Sequence, residues 1–262
     1  MTDSADPRPD AAPFDLTPSP TPGSGSRRSV LLLHGFTGTP YEMRFLGEAL
    51  ARRGLRAVGP LLRGHGGAAS DLEPTTHRDW VAGAEEILAK LRRESDRVAV
   101  VGLSLGGLVA LELARRNPDV AALVCLAVPL WLPGATALGI RALSLLTILR
   151  RLPKLGGSDI RDARVKQSFP SGSALPLAPL RSLLELQRIV RANAAGVSQP
   201  TLIMHADADH VAPPRCALEL YEHLPSKDKR LVRLTESYHI ITVDVERDVV
   251  AREVGDFLVE RM

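Results

Sequence analysis

The sequence has two cysteines in 262 residues, Cys125 and Cys216, far apart and in or beside apolar runs. That is too few for a disulfide framework, and the spacing is not that of a zinc site, so both read as buried thiols. Aromatic residues make up 4% of the chain. No basic stripe is interleaved with them, which argues against a nucleic-acid partner. Long apolar runs are missing too. The most apolar stretch, 129–149, is broken by Pro133, Gly134, Gly139 and Arg141, whereas a membrane helix needs about 20 consecutive apolar residues. The N-terminus is acidic and Pro-rich, unlike a secretory signal. These absences predict a soluble, cytoplasmic protein with no stable membrane insertion, as a monomer or homodimer. Charge of one sign is also lacking: 33 Lys and Arg face 30 Asp and Glu, a net charge of +3. The basic residues are mostly Arg, in scattered pairs such as Arg52–Arg53 and Arg115–Arg116 near expected helix ends, where positive charge suits the dipole.

What is present is a 45% hydrophobic fraction, enough to bury a sizeable core. Residues 1–28 are rich in Pro, Ser, Thr, Asp and Gly and read as a flexible tail, with Phe14 and Leu16 able to pin part of it to the surface. From Ser29 the rhythm is strand, helix, strand. Val30–Leu33 is a short apolar run that fits a strand buried on both faces. Pro40 opens a helix that stops at Gly54, and 55–62 reads as the next strand. Thr76 or Asp79 caps a helix running to about Arg93. Strands over 97–103 and 120–128 enclose a helix over 105–116 that Asn117-Pro118 closes. The alternation breaks over 129–195, which reads as two long Leu-rich helical segments around a loop at 156–179. It resumes with a strand at 201–205, a helix near 212–224, a strand at 230–234 and a final helix from about Glu246 to Glu260. The expectation is an α/β fold: a mostly parallel sheet with helices on both faces, built from 29–128 and 196–262, with 129–195 inserted as a helical cap.

The strongest chemical signal is Gly102-Leu103-Ser104-Leu105-Gly106 between an expected strand and an expected helix. That is the context of a nucleophile elbow, in which Ser104 projects above the C-terminal edge of the sheet. A serine hydroxyl needs a base at neutral pH. The chain order Ser, Asp or Glu, His is met by Asp209 after the 201–205 strand and His239 after the 230–234 strand, with Asp207 as a rival acid and His205 and His210 as rival bases. His34 and His65 head Gly-rich loops and read as braces. The oxyanion donors expected are the Leu105 N–H and the Phe36 N–H.

These residues carry a resemblance. The chain resembles the α/β-hydrolase superfamily and, more narrowly, its bacterial carboxylesterase and monoacylglycerol lipase group. The matching stretches are His34–Pro40, Pro60–Gly66, Asp79-Trp80, the elbow over 102–107, Asp209–Pro213 and Ser237–Thr242. The resemblance implies a serine carboxylic-ester hydrolase with Ser104, Asp209 and His239 as the triad, Asp209 being the acid of a D-x-V-x-P stretch. It also implies a helical cap over the site, no metal or organic cofactor, and a small-molecule ester substrate. Within the cap the match holds at Gly157-Ser158-Asp159 and fails over Gln167–Pro176. Trp131, Leu138, Ile140 and Leu145 are the expected substrate-binding residues, suited to short- to medium-chain acyl esters, including monoacylglycerols. The alternatives are a thioesterase, acyltransferase or carbon–carbon bond hydrolase using the same triad, or a ligand receptor that has lost turnover.

Overall fold

The apolar run Val30–Leu33 divides between two cores. Leu31 and Leu33 pack on one face of the sheet, Val30 and Leu32 on the other, as the two-residue period of a strand requires. The same division repeats at Val98 and Val100 against Ala99 and Val101, so each central strand is buried on both sides. The computed structural model describes residues 11–18, 27–143, 150–154, 156–170 and 174–262.

In chain order the elements are β1 (Phe14–Leu16), β2 (Arg28–Leu33), α1 (Tyr41–Arg52), β3 (Arg56–Gly59), α2 (Ala69–Leu72), α3 (His77–Glu94), β4 (Arg97–Leu103), α4 (Leu105–Arg116) and β5 (Leu123–Leu126). Then come α5 (Gly134–Leu143), β6 (Arg151–Pro153), α6 (Ala163–Ser168), β7 (Ala174–Pro176) and α7 (Leu177–Asn193). The chain closes with β8 (Thr201–Ala206), α8 (Arg215–His223), β9 (Lys229–Leu234) and α9 (Arg247–Arg261). The main sheet has seven strands in the order β1-β3-β2-β4-β5-β8-β9. All neighbours pair in parallel except β1, which runs antiparallel to β3. Helices α3, α4, α7 and α8 cover one face, α1 and α9 the other. This is the expected mostly parallel sheet with helices on both faces. At the start of α3, the Asp79 carboxylate accepts hydrogen bonds from the N–H and hydroxyl of Thr76, so both expected capping residues act together. Among the described residues no helix is long and apolar enough to cross a membrane.

Two expectations are corrected. Part of the N-terminal stretch is not a tail: Phe14–Leu16 forms β1, pairing Phe14 with Gly59 and Leu16 with Ala57. Phe14 is buried. Its ring seats against Gly47 and Gly59, with the Arg44 guanidinium 5.0 Å above its centroid. Asp15 pairs with Arg56 through two hydrogen bonds. Three residues are too few to display a period, and the composition around them is that of a tail. Second, 129–195 is not purely helical. A two-stranded antiparallel ribbon, β6 with β7, joins its helices. Pro153 and Pro176 end these three-residue strands, so no alternating run was there to see.

Phe14→Ala is expected to destabilise the protein by about 3 kcal/mol, as loss of a buried ring does. A residue in a free tail would change stability by no more than about 0.5 kcal/mol. Urea denaturation of the two proteins distinguishes the cases.

Candidate active site

The turn from β4 into α4 leaves little choice of residue. Ser104 sits at φ 54°, ψ −116°, and its N–H donates to Leu126 O at 2.8 Å. A Cβ on Gly102 would overlap the Gly106 carbonyl, and one on Gly106 would overlap the Leu33 carbonyl. Both positions therefore admit only glycine. The strain at Ser104 is held by the strands on either side of β4.

The loops after β8 and β9 bring two more side chains to it. His239 Nε2 lies 2.9 Å from Ser104 Oγ, and His239 Nδ1 lies 2.7 Å from Asp209 Oδ2. A carboxylate only accepts, so Nδ1–H donates to Asp209 and the bare Nε2 accepts the Ser104 hydroxyl. Asp209 Oδ1 accepts the N–H groups of Val211 and Ala212 at 2.8 and 2.7 Å. His205 Nε2 approaches Oδ2 at 3.2 Å and Ala212 O at 3.0 Å; between two acceptors, that nitrogen carries the proton. Burial alone would raise the Asp209 pKa, but the His239 charge and hydrogen bonds from His205 and His239 hold it well below the usual carboxylate range. Burial by itself lowers the pKa of His239. The Asp209 carboxylate outweighs it, with Asp159 and Glu42 adding to the pull, and the net direction is upward.

The expected oxyanion donors, the N–H groups of Phe36 and Leu105, have no hydrogen-bond acceptor among the described residues. His34 braces the loop that carries Phe36. Its Nε2 accepts Leu62 N–H at 3.0 Å and its Nδ1–H donates to Gly35 O at 2.9 Å. Burial pushes its pKa down to about 3, so it stays neutral. His65 packs edge-on against His34, Phe36 and Trp80 and is likewise depressed by burial, to about 4. The rival acid Asp207 points elsewhere, to Arg233 Nε at 2.7 Å. His210 turns its Nδ1 to Asp159 at 2.9 Å.

Four residues around the triad escaped the sequence reading in these roles: His205, Glu42, Asp159 and Asp244. Asp159 accepts the N–H of both His210 and His239, at 3.0 and 3.2 Å. Asp244 accepts the N–H of Tyr238 at 2.8 Å and those of Arg161 and Asp162, each at 2.9 Å. The segment 157–162 is thereby tied to the loop bearing His239. No motif announces these ties: Asp159 to His210 and His239, and Asp244 to Arg161 and Asp162, join residues 51 to 83 positions apart.

Ser104 and His239 open into a cavity of about 650 Å³, a size suited to small molecules. Leu132, Ile140, Leu180 and Leu183 form an apolar wall, while Glu42 and Lys154 line another part. Of the expected substrate-binding residues, Ile140 reaches this cavity. Trp131 does not line it: the indole N–H donates to Glu219 at 2.8 Å and the ring packs on the core. Leu138 is 68% exposed and also outside the lining, because it falls on the outer face of α5. Leu145 lies outside the described residues.

A family model described as "Serine aminopeptidase, S33" matches residues 24–246. The thermostable monoacylglycerol lipase of Bacillus sp. (strain H-257) is 37% identical over 231 residues, 87% of this chain and 89% of that protein. The carboxylesterase of Bacillus subtilis (strain 168) is 31% identical over 244 residues, 93% and 97% of the two chains. Among solved structures, one from a study of the metagenome-derived lipolytic enzymes LipS and LipT superposes with a TM-score of 0.87 at 28% identity, covering 96% of this chain and 98% of that one.

A base whose imidazole is held above its ordinary pKa must lose its proton before it can accept one. Activity, as kcat/KM, is therefore expected to rise with pH through a midpoint above about 6.5. A pH–rate profile with its midpoint below that value would contradict the geometry around His239.

Proposed function

The chain belongs to the α/β-hydrolases, in the family described as serine aminopeptidase, S33, and from that premise we propose that it is a serine carboxylic-ester hydrolase acting on small acyl esters. The observation that carries the reading is the continuous chain from Ser104 Oγ through His239 to Asp209, at 2.9 and 2.7 Å, on a cavity with an apolar wall. Two relatives that this chain matches over most of their length are a monoacylglycerol lipase and a carboxylesterase, which supports an ester over an amide as substrate.

In this mechanism His239 Nε2 takes the Ser104 proton as Oγ adds to the ester carbonyl carbon. The carbonyl π electrons move to oxygen, and the oxyanion accepts the N–H groups of Phe36 and Leu105. As the intermediate collapses, the bond to the alcohol oxygen breaks and His239 protonates it. Water then adds to the acyl-enzyme, giving its proton to His239. Collapse returns that proton to Ser104 and frees the carboxylic acid. Asp209 stays ionised throughout, holding the ring in its tautomer and stabilising the imidazolium. The apolar wall of Leu132, Ile140, Leu180 and Leu183 is read as the acyl site, suited to short and medium chains, monoacylglycerols among them. Residues 129–195 are read as the cap, and the free, buried Cys125 and Cys216 agree with a cytoplasmic setting.

Ser104→Ala is expected to lower kcat on a nitrophenyl ester by about 10⁶, as nucleophile loss does in a comparable triad. Retention of a few per cent of activity would remove the assignment. Faster turnover of aminoacyl anilides than of nitrophenyl esters would replace the esterase reading with a peptidase.

A further inference from the structure

The loop that offers the Phe36 N–H is built on two glycines and one unusual backbone angle. Gly38 N–H donates back to Gly35 O at 3.1 Å, and Thr37 lies at φ 57°. The side chain that holds this loop comes from the next element. Glu42, in the first turn of α1, is 3% exposed, and its Oε2 accepts the Gly35 N–H at 2.6 Å. Its carboxyl lies over Gly38 so closely that a Cβ there would overlap it. On the other side, a Cβ on Gly35 would stand 3.5 Å from Ser104 Cβ. Gly35 is thus held between the nucleophile and Glu42. An acid placed only to favour a helix N-terminus gains nothing from burial, since a buried carboxyl is unfavourable unless hydrogen-bonded.

We propose that Glu42 is a positioning residue for the hydrolysis read above: it grips the Gly35 N–H, fixes the 35–38 turn, and so aims the Phe36 N–H at the oxyanion formed on Ser104. The inference rests on that reading of Ser104. Glu42 contributes through the loop and not as a donor. It also carries a charge that matters. Burial pushes its carboxyl up to about 7, against the pull of the Gly35 N–H, Lys154 and His239. Lys154 and His239 are the charged groups that face it, and Asp159 lines the same cavity. An ionised Glu42 favours the protonated form of His239, which raises the pH at which the base becomes neutral.

The test compares wild type, Glu42→Ala and Glu42→Gln on p-nitrophenyl butyrate, with thermal melts to verify folding. Glu42→Ala is expected to lower kcat by about 10- to 100-fold, part of what losing an oxyanion donor costs. KM should change by less than about threefold, because the loss falls on the transition state. Labelling of Ser104 by a fluorophosphonate, whose phosphoryl oxygen needs the same donors, should slow in parallel. Glu42→Gln keeps an oxygen for the Gly35 N–H and should recover most of kcat. Without the charge, its kcat/KM midpoint should move to lower pH. The proposal is overturned by undiminished kcat in Glu42→Ala, by a loss confined to KM, or by Glu42→Gln as impaired as Glu42→Ala. If Glu42→Ala does not fold, Glu42→Met, similar in size but without an oxygen for the Gly35 N–H, takes its place, and undiminished kcat in it overturns the proposal. A wild type without esterase activity would remove the functional reading, whereas an active wild type matched by Glu42→Ala removes only the role of Glu42.

Discussion

The backbone of Ser104, held in a region that costs a non-glycine residue about 1–3 kcal/mol, is the constraint around which the site is arranged. The turn is possible because β4 sits mid-sheet, paired with β2 on one side and β5 on the other, and because α4 begins at the next residue. Neither flanking glycine has room for a side chain. The result is a hydroxyl raised at the C-terminal ends of the strands, where the loops after β2, β8 and β9 converge. Each supplies one component: a backbone donor, a carboxylate and an imidazole. Such convergence at strand carboxyl ends is where open α/β sheets place their ligands.

Around that hydroxyl the structure holds carboxylates that are buried (Asp209, Asp244) or half-buried (Asp159), and each has multiple donors. Asp209 receives two backbone N–H groups and two imidazoles. Asp244 and Asp159 receive backbone N–H groups across the contact between residues 157–162 and the loop bearing His239. Buried carboxylates so satisfied fix loops that have no regular hydrogen bonding of their own. The arrangement favours positive charge on His239, the charge that the proposed hydrolysis places there when Ser104 gives up its proton.

Much of this was legible in the sequence, and the divide follows whether a contact belongs to a regular backbone pattern or to the fold of an irregular loop. The apolar runs at Val30–Leu33 and Arg97–Leu103 announced buried strands because a strand's neighbours impose their pattern locally. Ser104, Asp209 and His239 were legible through their spacing and their places after strands. Glu42 and His205 in their present roles were not. One looks like an ordinary helix-start acid and the other like a strand residue. The contacts that define them form where an irregular loop folds back on the element beside it, Gly35 on Glu42 and Asp209 and Ala212 on His205. Trp131 shows the converse failure: its apolar bulk suggested the cavity, but its indole N–H needed an acceptor and found Glu219.

Strand β1, three residues long, also bears on how the molecule meets others. A sheet margin with free N–H and C=O groups invites pairing with a second chain. On the β3 side the outermost strand is β1, and a strand of three residues leaves little edge to pair. The opposite margin, β9, carries Lys229, Arg230 and Arg233, and charged margins discourage such pairing. One flank of the sheet ends in a very short strand and the other carries cations. Part of the arginine content thus stands on a sheet margin, where Arg230 and Arg233 are paired with Glu253 and Asp207.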